Sequence, residues 1–131
     1  MPTVLVTGGT GTLGKNLRVQ LARSTLFDES DDAFVFLGSA DADLRDYAQV
    51  DALFRRHAPV RALVHLAADV GGLYKNLRDP QLRTFANNVQ MNTNVLLACV
   101  EHGVKRGIVL SSTRSEEHTS ELQSPCNLVC R

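Results

Sequence analysis

The chain has 131 residues, 44% of them hydrophobic, and its 14 basic residues balance 14 acidic residues. That length allows one small domain with a packed core, and the balanced charge argues against a strongly basic nucleic-acid surface. No apolar run approaches the roughly 20 residues that a membrane-spanning helix needs. The chain also enters a strand-like run at once, without the basic leader of a secretory signal. We therefore expect a cytoplasmic protein without nucleic-acid or membrane partners.

The three cysteines, Cys99, Cys126 and Cys130, form an odd and scattered set. Such a set argues against a disulfide framework and favours a reducing compartment. No Cys or His pair accompanies Cys126 and Cys130 at a distance that suits a metal ion, so we expect no metal site.

Short apolar runs alternate along the chain with segments of helical character. Four runs predict strands, at residues 4–6, 34–37, 62–66 and 107–111. The first two are apolar on both faces, which is typical of strands buried in a parallel sheet. Three segments between the runs predict helices: about 12–22, from a cap at Asp46 to near 58–59, and from the Asp79-Pro80 cap pair to His102, with Gly103 as the stop.

The first predicted helix carries Leu13, Leu17 and Leu21 at helical spacing, and Val50, Leu53 and Phe54 share one face of the second. The strands and helices alternate strictly, so right-handed crossovers between parallel strands are the expected solution. The predicted fold class is α/β, a Rossmann-type doubly wound parallel sheet of about four strands. Its ligand should bind at the carboxyl ends of the first and third strands.

Glycines fill the turn between the first strand and the first helix. Both G-x-x-G-x-x-G and G-x-G-x-x-G fit this turn. Glycine lets the chain turn tightly, lets the backbone approach a pyrophosphate, and lets the helix pack against the strand, while the helix N-terminus offers free N–H groups to phosphate. We predict dinucleotide contacts at Gly8, Gly9, Thr10, Gly11, Thr12, Leu13 and Gly14; the alternative is a glycine-rich turn that binds no ligand.

The residues after the second strand bear on which nicotinamide cofactor binds. NAD sites usually carry an acidic residue there to bind the ribose 2′-OH. Here Leu37 is followed by Gly-Ser-Ala at 38–40, and the first acidic residue is Asp41. Small neutral residues leave room for a 2′-phosphate, to which Ser39 can donate, so NADP (NADPH) is the predicted cofactor. The alternative is NAD, with Asp41 or Asp43 reaching the ribose.

Five stretches together resemble the extended short-chain dehydrogenase/reductases, the NAD-dependent epimerase/dehydratase family, and among them the epimerase/reductases that act on GDP-4-keto-6-deoxy-mannose. They are VTGGTGTLG at 6–14, DADL at 41–44, HLAADVGGL at 65–73, NNVQMNTNVL at 87–96 and LSST at 110–113. The glycine turn and Ala67-Ala68 are common to the superfamily, whereas the combination of AADVGG at 67–72 with NVQMNTNV at 88–95 is more specific. The resemblance covers residues 1–113 and implies a truncated sheet.

The resemblance implies roles for individual residues. Asp43 and Leu44 would contact the adenine edge, with Asp43 accepting from its amino group, unless Asp43 is a turn residue that caps the stretch after it. Further cofactor contacts are implied at Leu66, Ala67, Ala68, Leu110 and Ser111, and substrate contacts at Val70, Gly71 and Gly72.

Three polar residues lie near the third strand and in the third helix. Asn88 and Asn92 lie four residues apart on one helix face, where Asn is unfavourable. They either hold neighbouring backbone across the sheet or face solvent. His65 is expected to be a partly buried histidine with satisfied hydrogen bonds, not a base. By resemblance, the third helix faces a partner subunit in a homodimer of the intact enzyme.

Ser112 aligns with the family's catalytic serine and would hydrogen-bond the carbonyl or hydroxyl of a GDP-sugar substrate; the alternative is an ordinary serine at a strand end. The family has a cysteine after this Ser-Thr pair, where this chain has Arg114. The family's Tyr-x-x-x-Lys pair is absent, because neither Tyr47 nor Tyr74 has a lysine four residues on. We therefore expect the 131-residue polypeptide itself to be inactive.

Residues 114–131 differ from the rest in being polar and without a helical or strand period. They resemble the in-frame translation of a common sequencing adapter. We therefore expect an NADP-binding domain at 1–113 and a foreign, disordered tail at 114–131, the alternative being a natural polar C-terminus.

Three other interpretations of the whole chain stay open. One is another nucleotide-sugar epimerase or dehydratase of the same superfamily, and another is a non-catalytic NADP-binding protein. The third is a fragment without a stable fold, because its sheet lacks the later strands that would cover an apolar edge.

Overall fold

The computed structural model describes residues 2–24, 33–70 and 81–110. The elements are β1 (Thr3–Thr7), α1 (Thr12–Arg23), β2 (Ala33–Leu37), α2 (Tyr47–Arg56), β3 (Val60–His65), α3 (Gln81–Glu101) and β4 (Arg106–Val109). Every predicted strand and helix is present, with bounds that differ from the expected ones by a residue or two. The predicted cap pair Asp79-Pro80 lies outside the described residues.

The four strands form one parallel sheet in the order β2-β1-β3-β4. Leu5 of β1 lies opposite Val35 of β2 and Leu63 of β3. The chain therefore moves outward from β1 to β2 and then crosses back to β3 on the far side of β1. This reversal confirms the predicted Rossmann-type doubly wound sheet and puts the switch point between β1 and β3.

The main core lies between the sheet and the pair α2 and α3. All of β1 is buried, and Leu5 and Val6 have no exposed surface. The predicted face of α2 is buried as expected, and α3 adds its own apolar side chains to the same cluster. The buried cluster consists of Leu5, Leu37, Ala42, Val50, Leu53, Phe54, Leu63, Val95, Ala98 and Cys99.

The edge strand β2 is less buried than the sequence predicts. β2 is half-buried, apart from the buried Leu37, because it pairs only with β1. Phe36, next to Leu37, lies under the guanidinium of Arg18 of α1, 4.6 Å from the ring centroid, so a cation–π contact covers this face of the ring. Leu13, in the first turn of α1, is 57% exposed, which leaves it accessible for its predicted role as a cofactor contact.

Side chains and a glycine define the helix ends as predicted. The Asp46 carboxylate accepts from Ala48 N–H at 3.0 Å and caps α2. Gly103 has φ +68°, and Val104 N–H donates to Cys99 O at 2.8 Å, so the glycine after α3 ends that helix in the left-handed conformation.

Polar contacts join the exposed edges of α2 and α3. Asp51 binds both Arg55 and the His102 ring at 2.7 Å, and Tyr47 donates to Glu101. That hydrogen bond raises the pKa of Tyr47 to about 12. In the part of the chain that the structure describes, no helix is long and apolar enough to cross a membrane.

Candidate functional site

The glycine turn leaves β1 at the switch point of the sheet. Gly8 has φ +70°, a left-handed conformation that glycine adopts without a steric penalty. Gly9 N–H then donates to Leu37 O at the end of β2 at 2.7 Å, and Gly11 N–H donates to Gly8 O at 3.0 Å. The turn is thus tied to the neighbouring strand and closed on itself before the helix begins.

Two of these glycines are required by close backbone packing. A Cβ on Gly14 would lie 2.5 Å from Gly8 O and 2.5 Å from Gly9 Cα. A Cβ on Gly8 would lie 2.7 Å from Ala67 N, at the end of β3. The first helical turn therefore sits directly on the glycine turn, and the glycine turn sits directly on the segment after β3.

The N-terminus of α1 presents backbone donors without an internal acceptor. Its N-cap is Gly11, which has no side chain to cap the helix, and its first turn contains no acidic residue. The first intrahelical bond is donated by Lys15 N–H to Gly11 O. Among the described residues, the N–H groups of Thr12, Leu13 and Gly14 have no hydrogen-bond partner. Such a helix end carries partial positive charge and suits an anion.

Gly11 faces open space in front of this helix end. A Cβ on Gly11 would meet only Gly8 O, at 3.3 Å. The side chains of Thr10, Thr12 and Leu13 are exposed around it. The turn therefore has the form that suits a pyrophosphate, an uncapped helix end where, among the described residues, no side chain lies within 4 Å of a Cβ placed on Gly11.

The loop after β2 folds its acidic side chains back on its own backbone. Gly38 N–H donates to the Asp41 carboxylate at 2.7 Å, and Asp41 N–H donates back to Gly38 O at 3.1 Å. Thr10 packs against Gly38, where a Cβ would lie 2.7 Å from the Thr10 methyl group. Ser39 is exposed at the tip of this small turn, beside the glycine turn.

Asp43 makes the contacts of a turn residue. Its carboxylate accepts from Arg45 Nε at 3.0 Å, from Arg45 Nη2 at 2.8 Å and from Arg45 N–H at 3.0 Å. The guanidinium and the N–H of Arg45 lower the pKa of Asp43 to about 2. These contacts are those of the alternative given above, a turn residue that caps the stretch after it. The role of Asp43 as an acceptor for the adenine amino group stays a prediction.

Leu44, the other predicted adenine contact, is held by α3. It packs against the core cluster, and its carbonyl accepts from Asn94 Nδ2 at 3.0 Å. Asn94 was not among the predicted site residues. Its signal in the sequence was a further Asn, which is unfavourable inside a helix, on a different helix face from the two asparagines already singled out.

The segment after β3 is clamped by asparagines of α3. Asn88 Oδ1 accepts from Asp69 N–H at 2.6 Å, and Asn88 Nδ2 donates to Asp69 O at 2.9 Å. Asn87 Nδ2 adds a bond to the Asp69 carboxylate at 2.9 Å. The expectation that Asn88 holds neighbouring backbone is therefore confirmed, and solvent exposure is excluded as its role.

Asn92 holds a side chain, not the expected backbone. Its Oδ1 lies 2.8 Å from His65 Nε2, and His65 Nδ1 lies 2.6 Å from Thr7 Oγ1. His65 is 2% exposed, and burial lowers its pKa. The prediction of a histidine with satisfied hydrogen bonds is confirmed, and the residue is more deeply buried than expected.

The remaining predicted contacts are exposed or lie outside the described residues. Ala68 and Val70 are exposed after β3, and Leu110 is exposed after β4, at the same carboxyl edge of the sheet as the glycine turn. Gly71, Gly72, Ser111 and Ser112 lie outside the described residues, as does the predicted tail at 114–131. Within the described ranges, no group of His, Cys, Asp and Glu side chains is arranged to hold a metal ion.

Comparison with known proteins places this geometry in a family. Residues 4–125 match the family described as NAD dependent epimerase/dehydratase. A probable GDP-L-fucose synthase of Drosophila melanogaster is 42% identical over 113 residues, which are 86% of this chain and 34% of that protein. GDP-L-fucose synthase of Dictyostelium discoideum is 37% identical over 111 residues, 85% of this chain and 33% of that protein.

A solved structure shares the fold. A GDP-L-fucose synthetase of Naegleria fowleri bound to NADP superposes with a TM-score of 0.70 at 33% identity, covering 89% of this chain and 39% of that one. The chain therefore spans about a third of the length of the curated relatives that it matches.

Proposed function

Because the chain belongs to the NAD dependent epimerase/dehydratase family, we propose that it is the N-terminal, cofactor-binding part of an NADPH-dependent epimerase/reductase similar to GDP-L-fucose synthase. The intact enzyme would convert GDP-4-keto-6-deoxy-mannose to GDP-L-fucose. The observation that carries the proposal is the uncapped N-terminus of α1, with its free N–H groups at Thr12, Leu13 and Gly14 behind an unobstructed glycine turn.

The residues of the site fit a dinucleotide diphosphate. The free amides of α1 would bind the phosphate oxygens, and the absence of an acidic residue in the first turn leaves the helix end without a competing charge. Ala67 and Ala68 would border the ribose and nicotinamide. Gly8 packs so closely on Ala67 that both parts of the dinucleotide site are fixed relative to each other.

The loop after β2 supports NADP over NAD. In an NAD site an acidic side chain binds the ribose 2′-OH. Here the Asp41 carboxylate accepts from Gly38 N–H and the Asp43 carboxylate from Arg45, so both acidic side chains already have partners within the loop. Ser39 remains at the tip of the turn as a hydroxyl donor for a 2′-phosphate. The Naegleria fowleri relative has NADP bound, in agreement with this choice.

When bound, NADPH supplies a hydride to a ketone, and the protein supplies position and proton transfer. In this chain the end of β3 would border the sugar through Val70, Gly71 and Gly72, and Ser112 would hydrogen-bond the reacting carbonyl or hydroxyl. A homodimer of the intact enzyme is part of the proposal. The exposed apolar side chains of α3, including Leu82, Phe85 and Val100, support a partner surface there.

Titration calorimetry of the 131-residue chain with NADPH and with NADH tests the proposal. We expect saturable binding of NADPH and at least about tenfold weaker binding of NADH, which corresponds to about 1.4 kcal/mol. Equal affinities would refute the choice of NADP, and no binding of either nucleotide by the folded chain would refute the cofactor site. Gly11→Ala serves as the control variant for the site.

The same polypeptide should not turn over the keto-sugar. Neither Tyr47 nor Tyr74 has a lysine four residues on, so the pair that lowers a tyrosine pKa for proton donation in this family is missing. Incubation of the chain with GDP-4-keto-6-deoxy-mannose and NADPH should leave NADPH absorbance unchanged. Measurable oxidation of NADPH that depends on the sugar would contradict this expectation.

A further inference from the structure

A chain of hydrogen bonds, one buried and two half-buried, crosses the sheet beneath the candidate site. It runs from Asn92 on α3 through His65 of β3 to Thr7 of β1, with distances of 2.8 and 2.6 Å between the bonded atoms. From Thr7 Oγ1 it continues to the N–H of Ala67, at 3.4 Å. His65 is 2% exposed and Thr7 is also 2% exposed. The four residues link the core-facing helix to the segment proposed to border the cofactor.

The direction of each hydrogen bond follows from Asn92, at one end of the series. Asn92 Oδ1 can only accept, so His65 Nε2 must carry the proton. In a neutral imidazole, Nδ1 is then an acceptor, and the Thr7 hydroxyl donates to it. The same hydroxyl oxygen is left to accept from Ala67 N–H. One tautomer of His65 therefore gives both ring nitrogens and the Thr7 hydroxyl a partner.

The backbone of Ala67 contacts the glycine turn directly. The first glycine of the turn packs on it, since a Cβ on Gly8 would lie 2.7 Å from Ala67 N and 2.9 Å from Ala67 Cα. Leu66 N–H also donates to Thr7 O at 3.1 Å. A shift of Ala67 would therefore move the surface against which both the glycine turn and the nicotinamide ribose are proposed to lie.

We propose that His65 is a positioning residue for the cofactor site: held in its Nε2–H form by Asn92, it orients the Thr7 hydroxyl, which fixes the backbone of Ala67 beside the glycine turn. This inference rests on the proposed function, because the benefit of fixing Ala67 is measured in cofactor binding. His65 touches neither cofactor nor substrate in this account and acts only through Thr7. Its burial lowers its pKa and keeps the ring neutral, in agreement with the role.

Thr7→Val removes the hydroxyl with little change in shape, and Thr7→Ser is the matched control that keeps it. In calorimetric titrations at pH 8, we expect the valine variant to bind NADPH about three- to tenfold more weakly than the parent, the effect of one lost hydrogen bond. The serine variant should stay within about twofold of the parent. If the valine variant melts at a lower temperature but binds NADPH like the parent, the chain of bonds is only structural and the inference is wrong.

The parent chain separates this inference from the proposed function. If the parent does not bind NADPH, the proposed function fails first and the inference falls with it. If the parent binds and both variants bind alike, only the inference fails. Nitrogen NMR of the His65 ring needs no variant and tests the directions of the hydrogen bonds on which the inference depends. A proton on Nε2 and a bare Nδ1 at pH 7 support the inference, and the opposite tautomer overturns it even if Thr7→Val does not fold.

Discussion

The side chain of Asn88 hydrogen-bonds both backbone polar groups of Asp69, accepting from its N–H at 2.6 Å and donating to its carbonyl at 2.9 Å. An asparagine amide matches a peptide unit in this way, as a neighbouring strand would. No strand is needed to satisfy this backbone once β3 has ended. Asn88 thus fixes the backbone at Asp69, just before the residues that are proposed to border the sugar.

Replacing Asn88 by alanine should lower the stability of the chain by about 1–3 kcal/mol, because two half-buried backbone groups of Asp69 lose their partners together. Gln90→Ala is the matched control, since Gln90 is exposed on the same helix and should change stability by less than about 0.5 kcal/mol. Urea unfolding followed by circular dichroism measures both. Equal stability of the two variants would show that the Asn88 clamp contributes nothing.

Two glycines of the turn should separate stability from cofactor affinity. A Cβ on Gly14 meets backbone atoms at 2.5 Å, so Gly14→Ala must push α1 off the turn, and we expect a loss of about 1–3 kcal/mol in unfolding free energy. A Cβ on Gly11 meets only Gly8 O at 3.3 Å and otherwise projects into the open space before the helix end. Gly11→Ala should therefore weaken NADPH binding several-fold with a much smaller effect on stability, as melting and titration of both variants would measure. The reverse pattern would place the diphosphate elsewhere.

The thiol of Cys99 should be chemically inert in the folded chain. Burial in the core cluster raises its pKa to about 11, so the reactive thiolate is scarce at pH 8. Alkylation by iodoacetamide, followed by peptide mapping, should be slower at Cys99 in native buffer than in urea by at least about 100-fold. Similar rates in the two conditions would mean that α3 does not pack on the sheet in solution.

His65 predicts one component of the pH dependence of stability. Burial lowers its pKa below the free-histidine value of 6.5, so below that pH the unfolded chain binds a proton that the folded chain does not. Its contribution to stability is complete above pH 6.5 and is lost as the pH falls from there toward the folded pKa, by up to about 1.4 kcal/mol per pH unit. Unfolding free energies at pH 7.5, 6.5 and 5.5 should therefore fall more steeply for the parent than for His65→Gln. Parallel curves would contradict this account.

Much of the fold could be predicted because it is encoded in local patterns. The apolar run at 4–6 of β1, the cap at Asp46 and the stop at Gly103 each depend on a few adjacent residues, and each is found where the sequence predicts it. Burial was predicted less well along β2, because the apolarity of a strand does not say whether it will lie at the edge of the sheet.

The contacts of the site were harder to predict because they join distant parts of the chain. Thr7 and His65 are 58 residues apart, and Leu44 and Asn94 are 50 apart, so no local pattern pairs them. The sequence drew attention to Asn88 and Asn92 because Asn is unfavourable inside a helix. The sequence did not show that Asn92 would bind His65, or that the carboxylate of Asp43 would bind Arg45. Both contacts depend on the folded backbone.

The central claim is that the free amides at the start of α1 bind the diphosphate of NADPH. The most direct measurement is a titration of the 15N-labelled chain with NADPH, followed through its backbone amide resonances. The account predicts saturable shifts that are largest at Thr12, Leu13 and Gly14, and smaller ones at Ala67 and Ser39. A folded chain whose spectrum does not change with NADPH, or whose shifts cluster away from the glycine turn, would contradict it.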